Sequence, residues 1–96
     1  MEVTETTISL VRNPDSAVRA FASIVFDDSF VVRGLKILSG NNGLFITMPS
    51  RKKTNGDFQD IAHPINETTR LKIENAILEE YNRALDYELN MEDKKW

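Results

Sequence analysis

Val18-Arg19-Ala20-Phe21-Ala22-Ser23-Ile24-Val25-Phe26, then Asp27-Asp28-Ser29, then Phe30-Val31-Val32-Arg33-Gly34-Leu35-Lys36-Ile37-Leu38: this stretch decides the fold. Val18, Ala20, Ala22, Ile24 and Phe26 recur at every second position, the period of a strand with one buried face. β-Branched and aromatic residues fill both runs and suit a pleated, half-buried surface. In the second run, alternation places Val31, Leu35 and Ile37 on one face and Val32, Gly34 and Lys36 on the other. The polar triplet between the runs leaves room only for a turn, so the two strands are expected to be antiparallel neighbours.

The pattern continues on both sides. Upstream, Val3 to Val11 is a strand with Ile8 and Leu10 alternating, and it reaches Val18 through Asn13-Pro14-Asp15-Ser16. There Pro fixes φ, while Asn, Asp and Ser hydrogen-bond nearby backbone. Downstream, Asn41-Asn42-Gly43 is a tight turn and Leu44 to Met48 a short apolar strand. Four strands in sequence order make an antiparallel meander. Pro49 ends the fourth, and the polar segment from Pro49 to Asp57 reads as an exposed loop containing the turn signal Asn55-Gly56. Phe58 to Ala62 is expected to form a short fifth strand, closed by His63-Pro64.

Asn66 is a candidate N-cap, with Glu67 favoured in the first turn by the helix dipole. At 100° per residue, Leu71, Ile73, Ile77, Leu78, Tyr81, Ala84, Leu85 and Leu89 share one arc, opposite Lys72, Asn75, Glu79, Asn82, Arg83 and Asp86. This predicts one amphipathic helix from Glu67 to about Leu89. Glu74 falls inside the apolar arc with no partner readable from sequence. The expected organisation is a single α+β domain over residues 1–96. It has strands within about 3–62, a helix over about 67–89 and a frayed acidic tail at 90–96. Such a sheet has open edges, and a helix of about 23 residues reaches about 34 Å, longer than a body this size is wide. A symmetric homodimer, paired through a sheet edge, the helix or both, answers both problems.

Composition narrows the chemistry. The 96 residues include no Cys and one His, which removes disulfides, thiolate zinc sites, cysteine nucleophiles and multi-histidine metal centres. No apolar run is long enough to span a membrane, and the opening Met-Glu-Val lacks the features of a signal peptide, so a cytoplasmic location is expected. The net charge of −3 is unevenly spread: residues 1–73 carry nine Lys/Arg against eight Asp/Glu, residues 74–96 three against seven. A near-neutral body thus contains one dense basic cluster, Arg51-Lys52-Lys53, and a local patch can act where the global sum does not.

Ser39-Gly40-Asn41-Asn42-Gly43-Leu44-Phe45-Ile46-Thr47-Met48-Pro49-Ser50-Arg51-Lys52 and Phe58-Gln59-Asp60-Ile61-Ala62-His63-Pro64-Ile65-Asn66 closely resemble the SpoVG family of stage V sporulation, or septation, proteins. The opening Met-Glu-Val-Thr, the Ala20 to Ile24 pattern, Phe30 to Val32 and Leu78-Glu79-Glu80-Tyr81 fit as well, so the resemblance runs to about Ala84. It implies a small bacterial homodimeric regulator that binds nucleic acid, affects sporulation, septation or surface and virulence genes, and is not an enzyme. In the family the basic pair after Met-Pro-Ser is regarded as important for DNA binding, which maps onto Arg51 and Lys52, while the helix and its C-terminal end vary and are thought to influence which sequence is preferred. This chain departs from many members by the third basic residue, Lys53, and by its acidic end from Asp86 onward.

Long basic side chains in a loop can reach phosphate oxygens, and Arg can read guanine edges. Three contacts per chain give a log-log salt slope near −2.7, which a twofold dimer doubles. Arg70 and Lys72 at the helix start are candidates to extend the patch, and Arg33 is an open case. His63 near Asp60 has no nucleophile or second carboxylate at recognisable spacing and is read as structural. Phe45 and Phe58 could stack on bases, but strand aromatics usually serve the core or cross-strand pairs. No RNP-like aromatic motif or helix-turn-helix separates DNA from RNA. The expected partners are DNA and possibly RNA, with a second copy of the chain. No membrane, small-molecule substrate, cofactor or metal is expected. The alternative is a protein-interaction module of cell division, built on the acidic helix and an open sheet edge.

Overall fold

The computed structural model describes residues 1–93, with side chains through Glu88. Strands β1 (Val3–Leu10), β2 (Val18–Phe26), β3 (Phe30–Gly40) and β4 (Gly43–Thr47) form an antiparallel sheet in sequence order. A separate hairpin, β5 (Ser50–Lys52) and β6 (Phe58–Asp60), follows, and then helix α1 (Glu67–Asp93). The meander and the single C-terminal helix are as the hydrophobic pattern predicts. The segment read as a loop is instead half of a hairpin, and the fifth strand belongs to that hairpin and not to the main sheet.

The turns explain the meander. Asn13 accepts from the Asp15 amide through Oδ1 (3.0 Å) and from the Ser16 amide through its carbonyl (3.1 Å), which reverses the chain between β1 and β2. Between β2 and β3, Asp27 and Asp28 both adopt positive φ (51° and 52°), a conformation that Asp tolerates better than most residues. Local bonds hold them there. The Asp27 amide donates to the Glu2 carbonyl (2.8 Å), and Asp27 Oδ1 accepts from the Glu2 amide (2.8 Å). Thr4 Oγ1 accepts from the Asp28 amide (2.9 Å), so the start of β1 pins this turn.

The expected alternation in β3 breaks at one point. Ala22 pairs with Leu35 but Ile24 pairs with Val32, so Arg33 and Gly34 together oppose the single residue Ser23. This is a β-bulge, with Gly34 at φ +85°. The extra residue moves everything before it to the other face. Val32, not Val31, therefore packs against the core, and Val31 is exposed.

One face of the sheet carries Ala20, Ala22, Ile24 and Phe26 of β2, Leu35 and Ile37 of β3, Ile46 of β4 and the adjoining Met48. Ile73, Ile77 and Tyr81 of α1 complete this buried cluster, and the helix lies chiefly across β1 and β2. Asn66 caps the helix as expected: its Oδ1 accepts from the Thr69 amide (2.8 Å) and its carbonyl from the Arg70 amide (3.2 Å). Leu71 and Leu85 are exposed while Ile73, at the opposite margin of the predicted stripe, is buried, so the sheet meets the Ile73–Ile77–Tyr81 side of the arc. Glu74 is half-buried. The helix runs on to Asp93, past the expected end near Leu89, since no Gly or Pro interrupts it. Of the tail expected to fray, residues 94–96 lie outside the described residues.

Candidate nucleic-acid interface

The β5–β6 hairpin is built by its turn. The Gly56 amide donates to the Lys53 carbonyl (3.0 Å), Asn55 Oδ1 accepts from the Asp57 amide (3.1 Å), and Gly56 takes φ +94°, which a side chain would strain. The Lys53 amide bonds to the Asp57 carbonyl (2.6 Å) at the tip, and the Ile61 amide to the Pro49 carbonyl (2.7 Å) at the root. Between these ends Ser50 pairs with Asp60, Arg51 with Gln59 and Lys52 with Phe58. Asn55-Gly56 marks the turn in the sequence but not the register: as a two-residue turn it would set Arg51 opposite Asp60, whereas the observed loop takes in Thr54 as well and sets Arg51 opposite Gln59.

All six ladder residues are exposed. Arg51, Lys52 and Lys53 stand on or beside the ladder, and among the described residues none of the three forms an ion pair. Successive strand residues point to opposite faces, so Arg51 and Lys52 are not one patch but two sides of a ribbon. Phe58 is 70% exposed and Phe45 49%, so neither is a core residue; each is a cross-strand neighbour, of Lys52 and of Leu38 respectively.

Arg70 and Lys72 are differently placed. Two residues apart on a helix they diverge by about 200° and cannot face one surface together. Arg70 is half-buried, and Lys72 Nζ lies 3.5 Å from Glu2 Oε1. Arg33 is nearer the ribbon: a Cβ on its bulge neighbour Gly34 would stand 3.5 Å from Pro49 Cβ, at the hairpin's root, and Arg33 itself is exposed. His63 is exposed, with Nδ1 3.0 Å from the Pro64 carbonyl, and no group of potential metal ligands occurs among the described residues. No helix among them is long and apolar enough to cross a membrane.

The other face of the main sheet is partly apolar and uncovered. Phe21, Val31 and Phe45 project there, and the Phe45 ring crosses Gly40 so closely that a Cβ on Gly40 would meet Cε1 at 2.8 Å. A meander with one face packed on a helix and a basic two-stranded ribbon hanging from its last strand defines a class of small α+β proteins that display an exposed hairpin. A family model for SpoVG matches residues 1–83. The chain belongs to the SpoVG family. It is 50% identical over 88 residues to a protein of Bacillus subtilis strain 168 named as septation protein SpoVG, covering 92% of this chain and 90% of the relative. It is 48% identical over 93 residues to the SpoVG of Oceanobacillus iheyensis, covering 97% and 96%, and 47% identical over 92 residues to that of Caldanaerobacter subterraneus subsp. tengcongensis, covering 96% and 100%.

Proposed function

We propose that this chain is a homodimeric, non-enzymatic, cytoplasmic regulator that binds nucleic acid through the β5–β6 hairpin and acts in septation, the process named in its relatives, or in sporulation. The observation that carries the reading is a hairpin with every ladder residue exposed and three consecutive cations running along it to its tip. A two-stranded ribbon with no packed face contributes little to the stability of a domain, so its display favours recognition. Arg51, Lys52 and Lys53 are the nucleic-acid-contacting groups, with Arg33 a candidate to extend them. Arg70 and Lys72 contribute less, because of their divergence and the Glu2 pair. Dimerisation is supported by the uncovered Phe21, Val31 and Phe45 and by the exposed Leu85 and Tyr87 of the helix. Two copies double the phosphate contacts.

The test is fluorescence anisotropy with duplex DNA and single-stranded RNA across a salt series, comparing wild type with a combined Arg51→Ala, Lys52→Ala, Lys53→Ala variant of verified fold and oligomeric state. Loss of both affinity and salt slope in the variant supports the reading; binding that survives unchanged sinks it. The second reading, a protein-interaction module, is favoured by the apolar outer sheet face. It requires that wild type bind no nucleic acid even at low salt.

A further inference from the structure

The two sides of the hairpin differ in chemistry. Antiparallel partners share a face, so Arg51 and Gln59 stand side by side on one side of the ribbon, and Lys52 and Phe58 on the other. Arg pairs bidentately with the O6 and N7 of guanine, and Gln with the N6 and N7 of adenine. The first side therefore joins, in register, two side chains whose planar ends match base edges. The second joins a point charge and a ring, which carry no such code.

We infer that the Arg51/Gln59 side of the hairpin reads base edges in the major groove of B-form DNA, with Gln59 a specificity-determining residue, while Lys53, next along the same side at the tip, holds a flanking phosphate. The inference rests on the nucleic-acid reading above and assigns its two sides. The dimensions agree. Paired strands lie about 4.8 Å apart, and a major groove about 12 Å wide admits such a ribbon. The major groove of A-form RNA is too deep and narrow for it. Directly opposed side chains start about 5 Å apart, close enough to the 3.4 Å rise of the duplex for Arg51 and Gln59 to meet neighbouring base pairs. Arg51 and Gln59 are both exposed, and among the described residues neither side chain hydrogen-bonds within the chain. The side is not uniformly cationic. The Lys53–Asp57 pair continues it at the tip, a mixture that suits donors and acceptors on base edges better than a row of phosphates.

The experiment selects preferred duplexes from a randomised DNA library with the full chain. It then measures binding of the winner, each single-base-pair variant of it and the same sequence as duplex RNA, for wild type, Gln59→Ala and Arg51→Lys. Wild type should prefer a site containing guanine and adenine at adjacent or next-adjacent pairs, and should bind the RNA duplex far more weakly. Gln59→Ala should flatten the preference at the adenine position, erasing a discrimination of roughly 5- to 150-fold, with the salt slope kept because no charge is lost. Arg51→Lys should do the same at the guanine position, again with the slope kept. The assignment of sides is overturned if Gln59→Ala retains the full adenine preference, or if wild type binds duplexes with a steep salt slope but no base preference. If wild type binds no nucleic acid at low salt, the nucleic-acid reading fails and this inference with it. Both positions are exposed, so matching thermal unfolding of the variants separates lost recognition from lost fold.

Discussion

The main sheet and the hairpin are both antiparallel and adjacent in the chain, yet they are built on opposite terms. In the sheet, one face is sealed by α1, and Ile24, Leu35, Ile37 and Ile77 lose essentially all contact with water. In the hairpin no residue of the ladder is buried on either side. The sheet is held by burial of its inner face. The hairpin is held by a turn and by its two ends, and everything between is available to a partner. The contrast implies that stability and recognition are separable in this molecule by mutation.

The hardest test of that separation falls on the core. Ile37→Ala should lower unfolding free energy by about 2–5 kcal/mol in urea titration, since Ile37 is fully buried between Ala20 and Ile46 on neighbouring strands. A smaller loss of stability would mean that the sheet is less tightly packed than its burial indicates. Next comes the bulge. Gly34→Ala should cost roughly 1–2 kcal/mol through backbone strain at positive φ, because the space beside Pro49 accommodates a methyl at ordinary contact distance. Thermal denaturation of the pair Gly34→Ala and Gly34→Asn checks the cause, as Asn tolerates this conformation better. Asn66→Ala removes the bond to the Thr69 amide and should cost about 1 kcal/mol, read in the same way, with helix content retained by circular dichroism. The smallest change in stability, within about 0.5 kcal/mol, is expected from the combined Arg51→Ala, Lys52→Ala, Lys53→Ala variant. That variant should nevertheless reduce the magnitude of the salt slope, by up to about 2.7 per protomer. A large loss of stability in it would erase the distinction between the two regions.

Much of the sheet was legible because its buried face leaves a period-two trace: Ala20, Ala22, Ile24 and Phe26 of β2 are all in the core. The helix was legible for the same reason, through Ile73, Ile77 and Tyr81, and so was its Asn66 cap. The β3 bulge was not, because one inserted residue reverses the faces without altering composition; Gly34 was its only mark. The basic cluster was visible as charge, but its division into two sides was not. A strand with both faces in water has no hydrophobic alternation to betray it, so β5 looked like loop, and the partnership of Arg51 with Gln59 stayed hidden in the register. The exposure of Phe45 and Phe58 was hidden as well, since an aromatic in a strand reads the same whether its face is covered or bare.

Helix α1 covers β1 and β2, so the last element of the fold to leave the ribosome closes over the first ones made. The turns between strands join near neighbours and can form as soon as both partners emerge, but the core face they create has no cover until the C-terminal quarter of the chain is free. The contacts of Lys72 with Glu2 and of Glu88 with Arg12 then tie the helix to the first strand and its flank. A nascent chain stalled before Ile73 would therefore display Ala22, Ile24 and Leu35 to the cell, which makes completion of the helix the step that covers a sticky sheet.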